Sequence, residues 1–212
     1  MKILITGFDP FGGEAVNPAW EAVRRLPDEI AGARIVKRQI PTVFDRSIEA
    51  VRAAMEEHHP DAVVCVGLAA GRFGITPERV AINLNDARIP DNEGNQPIDT
   101  PVFADGPAAY FTSLPVKAMV EAIRGRGLAA CLSTSAGTFV CNHVMYGLLY
   151  HIERDFPGVR GGFIHVPSIP GQVPMANAPS MSLADIAEGL MAAVEAIVHT
   201  GEDLRVSGGS IC

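Results

Sequence analysis

The residues of this chain best suited to chemistry are a cysteine set just after a small-residue turn and a histidine that closes an apolar run. Cys141 stands in Ser135-Ala136-Gly137-Thr138-Phe139-Val140-Cys141-Asn142-His143, where an apolar stretch gives way to a helical pattern. Backbone N–H groups at a helix N-terminus stabilise a thiolate and can receive a developing oxyanion, so a thiol placed there has a nucleophile's surroundings. His165 ends a separate run, Gly162-Phe163-Ile164-His165-Val166-Pro167, and supplies a base that such a thiol would need. Glu78 opens the run Glu78-Arg79-Val80-Ala81-Ile82-Asn83. An acidic residue there is ordinarily a solvated strand end; its catalytic reading is a carboxylate that accepts the second imidazole N–H, fixes the tautomer and stabilises the imidazolium.

The other thiols and imidazoles read differently. Cys65 in Val63-Val64-Cys65-Val66 and Cys131 in Ala130-Cys131-Leu132 fall inside apolar strand patterns, where inert packing is the simpler account. Cys212 ends a glycine-rich tail. His143 lies two residues from Cys141 on the same expected helix, so it faces another way and buttresses the helix. His58, His59, His151 and His199 sit in helical patterns as peripheral residues. No set of three or four cysteines and histidines has zinc spacing. The glycines of Gly7-Phe8-Asp9-Pro10-Phe11-Gly12-Gly13 match neither G-x-G-x-x-G nor a P-loop. Phe8 and Phe11 are then either core or the walls of a small-ligand site.

These residues need elements to hold them. Apolar strand patterns run over 2–6, 34–40, 62–66, 79–83, 129–134 and 162–166. Helical patterns fall over 18–25, behind an Asn17-Pro18 cap, and over 44–59, 115–125, 141–155 and 182–199. The alternation predicts an α/β fold: one three-layer domain over 1–212, with a mostly parallel, twisted central sheet flanked by helices, and 203–212 as a mobile tail. Ligand sites in such folds gather at the carboxyl ends of the strands. Two long loops, 84–107 and 167–181, are rich in residues suited to ordered, functional connections.

Composition sets the outer bounds. The chain has 212 residues, and its 17 Lys+Arg against 24 Asp+Glu give a net charge of −7. With no basic run and no interleaved aromatic stripe, nucleic acid and anionic membrane are poor partners. The charged fraction is 19%, below the roughly 25% usual for soluble domains, which predicts apolar surface covered by another subunit. No apolar stretch reaches the ~18 residues of a membrane span, and the N-terminus enters a strand pattern without a secretory signal, so a cytoplasmic protein is expected.

Taken together, several stretches in one order resemble the pyroglutamyl peptidase I family of cysteine peptidases, also called pyrrolidone carboxyl peptidases. They are Thr6 to Gly13 with Asn17-Pro18, Gly71-Arg72 with Ile75 to Asn83, Asp86-Ala87-Arg88-Ile89-Pro90-Asp91-Asn92, Ser135 to His143, and His165-Val166-Pro167. The resemblance implies a Glu78, Cys141, His165 triad with Cys141 as nucleophile, His165 as base and acid, and Glu78 as orienter. It implies oxyanion donors in the Cys141 N–H and the Arg88 side chain, and a substrate pocket of Phe8, Phe11, Leu68, Phe139 and Val140. It further implies peptides with N-terminal pyroglutamate as substrates, no cofactor and no metal, and a homotetramer or homodimer. One departure is Leu68, where the family often has glutamine. A thiol amidase or transferase of the same fold with another acyl group, and a non-catalytic small-molecule binder, are the competing readings.

Overall fold

The structure is a computed structural model that describes residues 1–173 and 178–209. Among the described residues eight strands, β1 (Lys2–Phe8), β2 (Glu29–Ile30), β3 (Ala33–Ile40), β4 (Ala62–Leu68), β5 (Thr76–Glu78), β6 (Val80–Ile82), β7 (Ala109–Phe111) and β8 (Arg160–Val166), are interspersed with five α-helices. The helices are α1 (Pro18–Val23), α2 (Arg46–His58), α3 (Val116–Gly125), α4 (Val140–Asp155) and α5 (Leu183–His199). The main sheet has the order β2-β3-β1-β4-β8-β5. Its four central strands are parallel, and β2 and β5 close the two edges antiparallel. The expected three-layer, mostly parallel arrangement is what the chain adopts.

Alternation along the strands builds two cores. Ile3, Ile5, Val64, Val66, Ile164 and Val166 pack toward α1, α3 and α5. Leu4, Val63, Cys65 and Phe163 pack toward α2 and α4. Because side chains two residues apart share a face, Gly67 and His165 belong to the α4 side of the sheet. The parallel register pairs these two residues directly. On the opposite side α1 lies close against β1: a Cβ on Gly7 would come within 2.7 Å of the Trp20 Cα. Asn17 caps α1 by accepting from the Ala19 N–H, and Ser182 caps α5 by accepting from the Asp185 N–H.

Three local departures from the sequence patterns have physical causes. The pattern over 79–83 forms β6 alone, and a separate strand, β5, precedes it: β5 joins the main sheet through β8, while β6 pairs with β7 in a separate two-stranded sheet. The stretch 129–134 lies beside β5 but forms only isolated parallel bridges, Ile75 with Ala130 and Glu78 with Ser133. Hydrogen bonds from Ile75, Cys131, Ser133 and Arg79 N–H groups knit the two segments together, but Pro77 has no N–H to contribute and the ladder breaks there. At this edge Cys131 is exposed, which corrects its reading as a packed strand thiol. Helix α2 starts at Arg46, two residues later than the pattern, because Asp45 takes a left-handed φ of 57°.

The tail expected to be mobile from 203 makes defined contacts over its described part. Asp203 accepts from the Lys117 and Ala118 N–H groups at the start of α3, and the Val206 carbonyl accepts from Lys117 Nζ. Cys212 lies outside the described residues, as does part of the 167–181 loop. Among the described residues no helix is long and apolar enough to cross a membrane.

Candidate active site

Cys141 is the second residue of α4, so its N–H has no acceptor within the helix and remains available to an outside group. The turn leading to it is shaped by Gly137 at φ +81° and held by a pair of bonds: Asp86 N–H to the Thr138 carbonyl, and Thr138 Oγ1 to the Asp86 carbonyl. Asn142 docks the helix start on β6 by accepting from the Ile82 N–H and donating to the Ile82 and Leu84 carbonyls. The thiol is thereby set over the carboxyl end of β4. A Cβ on Gly67 would sit 3.0 Å from Cys141 Sγ and 2.7 Å from Phe163 Cζ. Only a residue without a side chain leaves room for sulfur there, directly beside the strand-paired His165. Gly67→Ala is expected to displace the thiol and lower kcat/KM by roughly tenfold to a hundredfold, as misplacement of a reacting group does. Steady-state hydrolysis kinetics on the folded variant measure this.

His165 and Glu78 meet as the catalytic reading requires. His165 Nδ1 lies 2.7 Å from Glu78 Oε1, which leaves the imidazole Nε2 for the cavity side. Glu78 is completely buried, so the solvated-strand-end reading does not hold. Its Oε1 also accepts from Arg72 Nη1 at 2.6 Å, while Oε2 has no partner among the described residues. Burial lowers the pKa of His165; the Glu78 bond and charge oppose this and the Arg72 charge adds to it. Burial pushes the Cys141 thiol up to about 12, Glu78 adds to the rise, and Arg72 counteracts it. Burial thus disfavours charge on both the thiol and the imidazole, against the support that the helix terminus gives a thiolate. The proton must move as the sulfur attacks.

The site opens into a cavity of about 180 Å³ lined by Phe8, Phe11, Asn17, Thr42, Leu68, Ala136, Phe139, Cys141 and His165. Four of the expected pocket residues are thus together on one wall system with the thiol and the imidazole. Phe139 is braced edge-on by Phe44, with centroids 5.4 Å apart. Val140 is fully buried in the α2/α4 core and does not face the cavity. Arg88 is exposed and is not part of the lining; its stretch reaches the site through the Asp86–Thr138 bonds. Sequence reasoning missed Asn17 and Thr42 as lining residues, having read Asn17 only as a cap. Both are already committed: Asn17 Nδ2 donates to the Asp9 carbonyl, and Thr42 Oγ1 bonds to Asp9. Arg72, quoted in the sequence pattern without a role, was also missed, although a lone cation six residues before Glu78 was the signal.

His143 buttresses α4 as expected. Its Nε2 accepts from the Asp45 N–H at 2.8 Å, its Nδ1 lies 2.9 Å from Asn85 Oδ1, and Phe44 packs edge-on against the ring. This bond also fixes the left-handed turn that delays α2. Burial lowers its pKa to about 4. The unfolded imidazole takes up its proton near its ordinary value of about 6.5, so stability is intact above that pH and declines as pH falls toward 4, by roughly 3 kcal/mol in total. Urea midpoints at several pH values measure the decline, which His143→Gln is expected to flatten.

The family profile for pyroglutamyl peptidase matches residues 1–200. The pyrrolidone-carboxylate peptidase of Clostridium botulinum is 58% identical over 213 residues, covering all of both chains. The crystal structure of Bacillus amyloliquefaciens pyroglutamyl peptidase I superposes with a TM-score of 0.93 at 55% identity, covering 96% of this chain and 99% of that one. The pyrrolidone carboxyl peptidase of Thermococcus litoralis gives a TM-score of 0.92 at 36% identity, covering 97% of this chain and 99% of its own.

Proposed function

The chain belongs to the pyroglutamyl peptidase family, and from that premise we propose that Cys141, His165 and Glu78 are the residues with which it removes N-terminal pyroglutamate from peptides. It is a cysteine hydrolase of the omega-peptidase kind. The observation that carries the residue assignment is the Gly67–His165 pairing with Cys141 Sγ above it and Glu78 bonded behind the imidazole.

As Cys141 Sγ attacks the exocyclic pyroglutamyl carbonyl, its proton passes to His165 Nε2. The Cys141 N–H receives the negative charge on the carbonyl oxygen; the Arg88 side chain, exposed and outside the cavity lining, has to turn inward on substrate binding to share it. Buried Glu78 stabilises the imidazolium through Nδ1. Collapse breaks the C–N bond, and His165 returns its proton to the departing amine. Water then attacks the thioester with His165 again as base, releasing pyroglutamate and the free thiol.

Pyroglutamate is an uncharged lactam with no free amine, so a pocket without ionic clamps suits it. The aromatic and aliphatic lining fits that description. Since the Asn17 and Thr42 side chains are already hydrogen-bonded within the protein, main-chain groups are left to meet the lactam, and Leu68 in place of glutamine leaves such contacts intact. We further read the chain as one peptidase domain acting in the cytoplasm as a homotetramer or homodimer. Exposed Phe73, Phe111 and Ile98 support a surface covered by another subunit.

Pyroglutamyl and prolyl amides assayed side by side test the substrate reading. Turnover confined to the pyroglutamyl amide is expected. Preference for the prolyl amide favours a thiol amidase of different acyl specificity, and no turnover of either favours a binding protein.

A further inference from the structure

We propose that Arg72 is a positioning residue for this reaction, a strut that holds the buried Glu78 carboxylate and the segment delivering Cys141 in register and balances the charge around His165. The inference rests on the Glu78, His165 and Cys141 assignment above.

Arg72 lies in the loop after β4 and reaches three places at once. Its Nη1 donates to Glu78 Oε1 at 2.6 Å and also bonds Thr76 Oγ1, both on β5. Its Nη2 donates to the Ser135 carbonyl at 2.9 Å. Ser135 begins the short stretch that ends in Cys141, so a single planar guanidinium ties the loop, the acid and the approach to the nucleophile. A fork of fixed geometry does this; a single ammonium does not.

The same group answers a charge problem. Among the described residues Glu78 has two partners, Arg72 and His165, both on one oxygen, and none on its buried Oε2. A carboxylate taken fully out of water needs a close counter-charge to remain an acceptor. An imidazole carries a positive charge only when protonated, whereas the Arg72 guanidinium always does. The titratable and charged groups facing His165 are Glu78 from β5, Arg72 from the loop and Cys141 from α4, with Cys65 of β4 close enough to act on Cys141. Glu78 favours a protonated His165, whereas Arg72 opposes that and eases ionisation of Cys141. Removing the positive charge makes the imidazole more basic, so the acid limb of the pH–rate profile moves to higher pH.

The test compares Arg72→Met and Arg72→Lys with the parent on a pyroglutamyl amide, recording kcat and KM across the pH range and the fold by circular dichroism. For Arg72→Met we expect kcat to fall about a hundredfold with KM within roughly threefold, and the acid limb to rise by about half a pH unit or more. For Arg72→Lys we expect the limb to stay near the parent's while kcat falls about tenfold, because charge is kept and the fork is lost. A parental kcat and unmoved limb in Arg72→Met overturns the proposal, as do equal losses in both variants with no movement of either limb. Should Arg72→Met not fold, Arg72→Lys decides: parental kcat overturns the strut. Cys141→Ser measured in parallel separates the two levels. Activity retained there defeats the catalytic assignment itself; its loss beside a parent-like Arg72→Met defeats only the role of Arg72.

Discussion

Replacing Cys141 by serine is expected to leave a folded protein whose kcat on a pyroglutamyl amide is lower by about a thousandfold or more. The sulfur makes no hydrogen bond among the described residues, so its loss should disturb the fold little. The reaction, however, depends on it twice. A hydroxyl in this half-buried position is far harder to ionise than a thiol already raised to about 12. The shorter C–O bond also withdraws the nucleophile from the place beside Gly67 where the register sets it. Circular dichroism and thermal melting establish folding, and steady-state kinetics give the loss. A kcat within tenfold of the parent would mean that another group attacks the substrate.

Glu78→Gln is the second large effect, about a hundredfold to ten-thousandfold in kcat, by analogy with the neutralised carboxylate of serine-protease triads. The amide oxygen can still accept from His165 and Arg72. What disappears is the negative charge that stabilises the imidazolium, and the new NH2 occupies the place where Oε2 has no partner among the described residues. That leaves a buried donor unsatisfied at a cost of about 1–3 kcal/mol in stability. Because Glu78 is completely buried and does not line the cavity, KM should change little. A parental kcat with reduced stability would make Glu78 a structural residue only.

Much of this site was legible because its chemistry is local. The turn before Cys141, the end of the run at His165 and the acid opening Glu78-Arg79 each show in a few consecutive residues. The strand and helix order was legible from periodicity, and the boundaries moved mainly where one residue changed the hydrogen bonding. Pro77 interrupts the edge ladder at 129–134, and Asp45, turned by His143, delays α2. Cys131 shows the limit of reading burial from apolar neighbours: at a sheet edge an apolar pattern does not guarantee a covered side chain. Gly67 and Arg72 were illegible as site residues because their roles come from pairing across strands and loops distant in sequence. Register decides that Gly67 lies beside His165, and only the closed fold brings Arg72 to Ser135 and Glu78 together. Val140, expected on the cavity wall, shares the stretch with Phe139 but turns into the core, as successive residues at a helix start must diverge.

The central claim is that the acyl group passes through Cys141. Rapid acid quenching during turnover of a pyroglutamyl ester, followed by mass spectrometry of the intact protein and its peptides, tests it most directly. A covalent increment of one pyroglutamyl group is expected on the peptide containing Cys141, and none in Cys141→Ser. An increment on any other residue, or turnover with no acylated protein under conditions where deacylation is limiting, would contradict it.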